Sequence, residues 1–232
     1  LVGSEMCIRD SPMTGKRGIA KTREVEGKTQ VYMQLKSGES IILQTFTRSL
    51  QGEPEWKYRK EMDYSLSLDH GWKLRFVESY PAIEGEFKID TPSSWTEVAH
   101  PAAKINRGTA LYSLELDLPE LSADDWILDL GDVRESARVR INGQEAGIAW
   151  AAPFRLSIGQ LLKSGKNLIE VEVTNLPANS IAEMDRQGKQ WRIFEDINMA
   201  KLNYEKGTYG HWETLPSGLN GIVRLIPVKY LF

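Results

Sequence analysis

The chain has 232 residues, with 29 Lys and Arg against 32 Asp and Glu, and a formal net charge of −3. A charge balance so close to neutral gives no reason to expect a nucleic-acid partner. The longest apolar runs fall far short of the roughly 18 residues that a membrane-spanning helix needs, so no membrane partner is expected either. With Cys7 as its one cysteine, the chain can form neither an internal disulfide nor a cysteine-based metal site.

Residues 1–11 stand apart from the rest of the chain. Read letter for letter, they resemble the translation of a transposase-type sequencing adapter, and the alternative is a short native tail. Foreign segments are set aside before the fold is considered. We therefore expect the protein proper to begin near Pro12, its true N-terminus to lie elsewhere, and residues 1–11 to be disordered and to pack on nothing.

The next part of the chain reads as the end of one domain followed by a linker. Residues 31–35 and 41–46 alternate apolar and polar side chains and flank the turn-forming stretch 36–40. This predicts a β-hairpin within residues 12–47 that remains from a preceding domain. Residues 48–70 are polar and contain Gly52 and Pro54, so they are predicted to be a linker.

Residues 71–232 show the alternation of strands that bury one face. The inward-facing sets begin with Trp72, Leu74 and Phe76 and recur along the chain to a last strand at 221–228. Asn142-Gly143 is the preferred pair for a two-residue type I′ hairpin turn, because both central residues need positive φ. The pattern predicts an all-β fold, an antiparallel β-sandwich of the jelly-roll kind.

One stretch, residues 175–221, lacks this alternation and is rich in aromatic and charged side chains. Long loops of this kind in compact domains are usually functional or disordered, and so aromatic a loop favours function. We predict six carbohydrate-binding residues in this stretch and at the end of an earlier strand: Trp191, Glu195, Asp196, Tyr204, Trp212 and Trp150.

Each of these residues has a structural alternative. Glu195 and Asp196 could accept hydrogen bonds from sugar hydroxyls beside the ring of Trp191, or they could pair with Arg186 or Arg192 and hold the loop closed. Trp150, like Phe154, is expected to pack in the core or between domains more readily than to stack on sugar. The adjacent carboxylates Asp124 and Asp125 are expected in a solvated turn before Trp126, not in catalysis.

Several segments carry a resemblance to known enzymes. Residues 127–133, 137–143, 151–155 and 165–175 resemble the sugar-binding, galactose-binding-like sandwich of family 2 glycoside hydrolases. Residues 94–97, 108–112, 192–198 and 215–221 are similar to the C-terminal region of family 106, the α-L-rhamnosidases and their relatives. The resemblance covers roughly residues 14–232, and it implies a periplasmic or secreted enzyme acting on rhamnose-containing plant or algal polysaccharide.

The resemblance also implies that the catalytic barrel precedes these residues and is missing, since a barrel of roughly 250 residues does not fit. Three functions stay open: a non-catalytic C-terminal portion that braces the barrel, a free-standing carbohydrate-binding module, and a self-sufficient enzyme. The predicted hairpin favours the first. No catalytic residue and no cofactor are expected, although a structural calcium ion held by loop carboxylates and carbonyls remains open.

Overall fold

The computed structural model describes residues 5–119, 122–192 and 207–232. The first strands in chain order are β1 (Met6–Asp10), β2 (Arg17–Ile19), β3 (Thr22–Val25), β4 (Lys28–Val31), β5 (Ile42–Phe46), β6 (Tyr58–Glu61), β7 (Leu66–Ser67), β8 (Trp72–Tyr80) and β9 (Glu86–Ile89). Two short 3₁₀ helices, Trp95–Glu97 and Pro101–Ile105, precede the longest strand. The remaining elements are β10 (Arg107–Leu118), β11 (Asp125–Asp129), β12 (Val133–Arg134), β13 (Ser136–Ile141), β14 (Gln144–Ala149), β15 (Arg155–Ser157), β16 (Gly165–Thr174), α1 (Ala178–Arg186), β17 (Gly218–Leu219) and β18 (Arg224–Leu231).

Two antiparallel sheets form a sandwich, which confirms the predicted all-β class. One sheet has six strands in the order β14-β13-β16-β10-β8-β9, and the other has the order β15-β11-β18-β6 with β7 also paired to β18. The ladder between β10 and β16 runs without interruption from Thr109 opposite Thr174 to Leu118 opposite Gly165. This long central pairing fixes the register of the larger sheet, because a slip of one residue would turn its apolar side chains outward.

The residues predicted to face inward from the alternating pattern are found in the buried core. Trp72, Leu74 and Phe76 on β8 face Leu128 and other residues of the second sheet in one continuous buried cluster. The predicted turn is also confirmed, because Asn142 and Gly143 have φ of 54° and 78° and join β13 to β14 with Ile141 opposite Gln144. Chain segments with one buried face were therefore correctly predicted as strands.

The expectation that residues 1–11 pack on nothing is wrong for residues 5–11. Met6 and Ile8 are buried, and β1 is the middle strand of a small sheet ordered β2-β1-β5. Ile8 lies opposite Ile19 on one side and Gln44 on the other. Met6, Cys7, Ile8 and Arg9 are all buried, so the segment is buried on both faces as the middle strand of this sheet.

The predicted hairpin between residues 31–35 and 41–46 does not form. Instead β4 pairs with β3 around a turn at Glu26-Gly27, and β5 pairs with β1. The predicted strand at 41–46 corresponds to β5, but residues 32–35 form no strand. The partners of β4 and β5 are β3 and β1, which the alternation did not indicate. These strands therefore give no support to a hairpin that closes a preceding domain.

The stretch 48–70 is not a linker, since it contributes two strands to the sandwich. β6 pairs with β18, with Tyr58 opposite Leu231, and β7 pairs with β18 at Leu66. Tyr58 is buried, and its hydroxyl donates to the Tyr32 carbonyl at 2.9 Å. The sandwich sheet thus begins well before residue 71 and is tied directly to the N-terminal unit.

Candidate carbohydrate-binding site

The region predicted to be one long loop contains a helix. α1 is short, and its buried residues are Asn179, Ser180 and Ala182. The Asn179 side chain makes two hydrogen bonds of 2.8 Å to the Leu215 backbone, one to its N–H and one to its carbonyl. These bonds satisfy main-chain groups that would otherwise be buried without partners, and they fix the segment after residue 207 against the helix.

A second set of bonds ties the same segment to the sandwich. The Ser217 N–H donates to Ser94 Oγ at 2.9 Å, and Asn175 Nδ2 donates to Ser217 Oγ at 3.1 Å. The Leu219 N–H donates to the hydroxyl of the buried Tyr112 at 3.2 Å. The residues that carry the sequence resemblance near 94, 112, 175 and 217 therefore meet in one buried network that supports the segment.

At the far end of α1 three aromatic rings form a cluster that we name the aromatic platform: Trp191, Tyr209 and Trp212. The ring centroids of Trp191 and Tyr209 are 5.6 Å apart, and those of Tyr209 and Trp212 are 4.6 Å apart. Both pairs are tilted by 48°. The structure thus brings together two predicted site residues, Trp191 and Trp212, with Tyr209 between them.

Charged residues of α1 hold the platform. Asp185 accepts a hydrogen bond from the Trp191 indole N–H at 2.5 Å and another from the Tyr209 backbone N–H. The Trp191 hydrogen bond first, and the Tyr209 bond second, lower the pKa of the Asp185 carboxyl. Arg186 donates to the carbonyls of Gly210 and Trp212, both at 2.9 Å. Each of these is a charge-assisted bond, the stronger class of hydrogen bond.

The aromatic rings of the platform differ in how much of each ring face is accessible to a ligand. Arg192 lies over Trp191, with its guanidinium carbon 4.9 Å from the ring centroid, and the Trp191 N–H is occupied by Asp185. Trp212 contacts Tyr209 on one side and is 39% exposed. A sugar ring presents C–H groups to an aromatic face, so Trp212 is the ring best placed to stack on one.

The other predicted residues fall outside this arrangement. Trp150 is 55% exposed and so does not pack in the core, which leaves packing against another domain or stacking on sugar as its expected roles, whereas Phe154 packs against the core. Trp150 makes no ring contact with the platform in the ranges that the structure describes. Glu195, Asp196 and Tyr204 lie outside the described residues. Arg186, one of their suggested partners, pairs with Glu183 at 2.8 Å.

Asp125 corrects a further expectation, because it is a buried structural carboxylate and not part of a solvated turn. It is 5% exposed and accepts hydrogen bonds from the backbone N–H groups of Trp126 and Gly159 at 2.8 and 2.9 Å. Ser157 Oγ also donates to it. Its neighbour Asp124 accepts from the Tyr230 N–H at 2.8 Å. A carboxylate with its oxygens so fully used is a fold-stabilising group.

Among the described residues, no group of three or more His, Cys, Asp or Glu side chains is arranged to hold a metal ion. Within the same residues, no helix is long and apolar enough to span a membrane. Sequence reasoning missed Asp185 as a support, because the helix that orients it was not predicted. It suggested Arg186 as a residue that holds the loop, but not its bonds to the carbonyls of Gly210 and Trp212.

Comparison with known proteins connects this fold to glycoside hydrolases. No family model matches the chain. It is 29% identical over 197 residues to a putative beta-glucuronidase of Formosa agariphila, covering 77% of this chain and 17% of that protein. Its fold is similar to that of a rhamnosidase from Novosphingobium sp., with a TM-score of 0.72 and 24% identity, over 97% of this chain and 21% of that one.

A beta-glucuronidase of Faecalibacterium prausnitzii has a TM-score of 0.50 at 18% identity, over 77% of this chain and 33% of that one. The fold is therefore a β-sandwich of the kind that glycoside hydrolase chains contain. This chain spans about a fifth of the length of the Formosa and Novosphingobium proteins.

Proposed function

We propose that this chain is the non-catalytic sandwich portion of a glycoside hydrolase of the α-L-rhamnosidase kind. In that role it braces a catalytic barrel carried elsewhere in the polypeptide and contacts rhamnose-containing plant or algal polysaccharide through the aromatic platform. Such an enzyme would act in the periplasm or outside the cell.

The observation that carries the proposal is the extent of the fold similarity. The match to the Novosphingobium rhamnosidase covers 97% of this chain, so it extends well beyond the sandwich alone. The match takes up 21% of that chain, and the sequence relative named beta-glucuronidase is likewise matched over only 17% of its length. A portion of this size within a larger enzyme is suited to support the catalytic domain.

The distribution of carboxylates supports a non-catalytic role for the described residues. Glycoside hydrolysis commonly uses two carboxyl groups that face each other across the scissile bond. Asp125 is committed to five donors in the fold, and Asp185 is committed to Trp191 and Tyr209. Neither is free to act as an acid, a base or a nucleophile.

The platform supports a contact with carbohydrate. It offers one exposed indole ring, that of Trp212. The ring packs on Tyr209, and Arg186 donates a hydrogen bond to the Trp212 carbonyl. One stacking face without an enclosed pocket supports weak binding, in the millimolar range or about −4 kcal/mol.

The test combines turnover and binding measurements on the whole chain. Hydrolysis of 4-nitrophenyl α-L-rhamnoside and 4-nitrophenyl β-D-glucuronide should be absent. Binding of rhamnose and neutral plant oligosaccharides, followed by NMR line shifts or tryptophan fluorescence, should be weak. It should be lost in Trp212→Ala, largely retained in Trp212→Phe, and reduced less in Trp191→Ala, whose ring is already covered by Arg192.

Trp150→Ala is the matched control, because it removes an exposed indole that lies outside the platform. Loss of binding in this variant and not in Trp212→Ala would move the sugar contact to Trp150. Turnover that disappears in Glu195→Gln would make the chain an enzyme and overturn the proposal. Micromolar binding to one oligosaccharide would instead favour the free-standing carbohydrate-binding module.

A further inference from the structure

A cleft of about 760 Å³ lies between the N-terminal unit and the second sheet of the sandwich. It is lined chiefly by the turn between β1 and β2, the loop that follows β4, the two residues just before β6, and strands β6, β14 and β15. Its volume is within the range of roughly 300–1,000 Å³ that is typical of small-molecule sites. The cleft is separate from the aromatic platform, with which it shares no lining residue.

The lining of the cleft is strongly basic. Two carboxylates line it, Glu39 and Glu61. Six basic residues after Ser11 line it: Lys16, Lys36, Lys57, Arg59, Lys60 and Arg155. In a chain whose net charge is −3, this is a local concentration of positive charge, which attracts anions into a concave surface.

Internal ion pairs satisfy only part of this charge. Lys36 and Arg155 share Glu61, with Arg155 Nη1 at 3.0 Å from its oxygen. Arg155 also pairs with Asp129 at 2.5 Å. Arg59 Nη1 is 3.5 Å from Asp125.

Three lysines remain without an acidic partner among the described residues: Lys16, Lys57 and Lys60. Lys57 has its ammonium nitrogen 5.1 Å from the centre of the Tyr230 ring.

Lys16, Lys57 and Arg59 line the same cleft. Although Lys16 as a whole is exposed, burial around its ammonium group lowers its pKa, and repulsion from Arg59 and Lys57 lowers it further, against an opposing effect of Asp125. Like charges held together in this way are stabilised when an anion binds between them. We name Lys16, Lys57 and Arg59 the cationic cluster.

Arg9 is a further basic residue of the cleft, but the proposed site does not depend on it. It lines the cleft at 5% exposure, and its Nε and Nη1 have no hydrogen-bond partner among the described residues. A buried guanidinium without an anion is costly. Because Arg9 belongs to the segment that resembles an adapter, the basic residues that follow Ser11 have to supply the site by themselves.

Apolar side chains complete the lining. Met33, Leu35 and Ile148 line the cleft and are between 43% and 46% exposed. Apolar atoms beside fixed charges suit a ligand that has both a hydrocarbon face and an anionic substituent, since each type of surface gains a partner. A sugar ring that carries a carboxylate or a sulfate ester has this combination.

We propose that this cleft binds an anionic oligosaccharide, with its acidic substituent at the cationic cluster and a ring face against Met33 and Leu35. The inference rests on the proposed function in taking carbohydrate as the ligand, and it adds that the carbohydrate is charged. Uronate carboxylates and sulfate esters share the required chemistry, so the experiment has one arm for each.

Isothermal titration calorimetry on the whole chain would compare trigalacturonate, a sulfated trisaccharide and neutral maltotriose. At least one anionic ligand should bind ten or more times tighter than the neutral one, and the affinity should fall as salt rises from about 50 to 300 mM. The double substitution Lys16→Gln with Lys57→Gln should weaken that binding at least tenfold. Both side chains are exposed, so the fold should be unaffected, as a thermal melt would verify.

The matched control is Lys104→Gln with Lys166→Gln, which removes the same charge from two exposed lysines outside the cleft. It should change the affinity less than twofold. An equal loss in both double variants, or equal binding of neutral and anionic trisaccharides, would overturn the proposal. Hexaglutamate bound as tightly as trigalacturonate would also overturn it, because the cleft would then recognise charge without sugar.

The two proposals fail in different ways. Neutral-sugar binding that survives Trp212→Ala would count against the platform while leaving the cleft untouched. Anionic binding that survives the loss of Lys16 and Lys57 would count against the cleft while leaving the platform untouched.

Discussion

Gly218→Ala tests the network that holds the platform segment against the sandwich. Gly218 has φ of +94°, and a Cβ built there would lie 2.8 Å from Trp95 Cε3 and closer still to the Tyr112 hydroxyl. Both side chains are fully buried, so neither can swing into solvent. The substitution therefore combines a backbone conformation that disfavours Cβ with overpacking of the core.

The two costs can be separated. An alanine at positive φ loses about 1 kcal/mol relative to glycine, and overpacking of a filled core costs a further 1–3 kcal/mol, roughly. We expect the free energy of unfolding to fall by about 2–4 kcal/mol. Gly165→Ala is the matched control, because Gly165 has φ of +82° but no atom within 4 Å of its Cβ position. It should cost only about 1 kcal/mol.

Urea denaturation followed by tryptophan fluorescence measures both variants. With a slope of about 2 kcal/mol per M, the midpoint should fall by roughly 1–2 M for Gly218→Ala and by about 0.5 M for the control. Adding Tyr112→Phe removes the closest clashing atom, so the double variant should lose less than the sum of the single ones, by about 1 kcal/mol. Equal costs at Gly218 and Gly165, or strict additivity with Tyr112→Phe, would refute the steric explanation.

Two further predictions concern single residues. Gly143→Val should lower the free energy of unfolding by about 1 kcal/mol or more, because a β-branched residue is disfavoured at the φ of 78° seen there; an unchanged melting temperature would contradict this. The hydrogen bonds from Trp191 and Tyr209 lower the pKa of the Asp185 carboxyl. Ionised Asp185 should therefore stabilise the platform fully at pH values above the ordinary aspartate pKa of about 3.9. This stabilisation should be lost as the pH falls through the lower pKa that Asp185 has in the folded protein. Acid titration of tryptophan fluorescence should show this transition in the wild type and not in Asp185→Asn.

The sandwich could be predicted because most of its strands bury one face only. Val139 and Ile141 are buried and alternate with Arg138 and Arg140, so the period of two is visible in the letters. Asn142-Gly143 could be located for a different reason, since few residue pairs accept positive φ twice in succession. Both signals are local, and a local signal needs no knowledge of the partner strand.

The parts that could not be predicted depend on distant partners. α1 was missed because two of its three buried residues, Asn179 and Ser180, are polar. Asn179 bonds to the main chain of Leu215, a partner that the sequence does not indicate. β6 was hidden within an apparent linker, because its two half-buried residues are Arg59 and Glu61. Charged residues such as these are expected to face solvent. Only the structure shows that they form ion pairs and line the cleft.

The position of Arg59 bears on how the cleft would bind. Its guanidinium is held by Asp125, and that carboxylate is fixed in turn by the backbone N–H groups of Trp126 and Gly159. A side chain ordered before binding loses less conformational freedom when a ligand arrives. Lys16 forms no ion pair among the described residues, and Arg59 repels its ammonium group, so an anion bound between the two would offset that repulsion. The arginine would therefore set the position of the acidic group, while the lysines would supply most of the dependence on ligand charge and on salt.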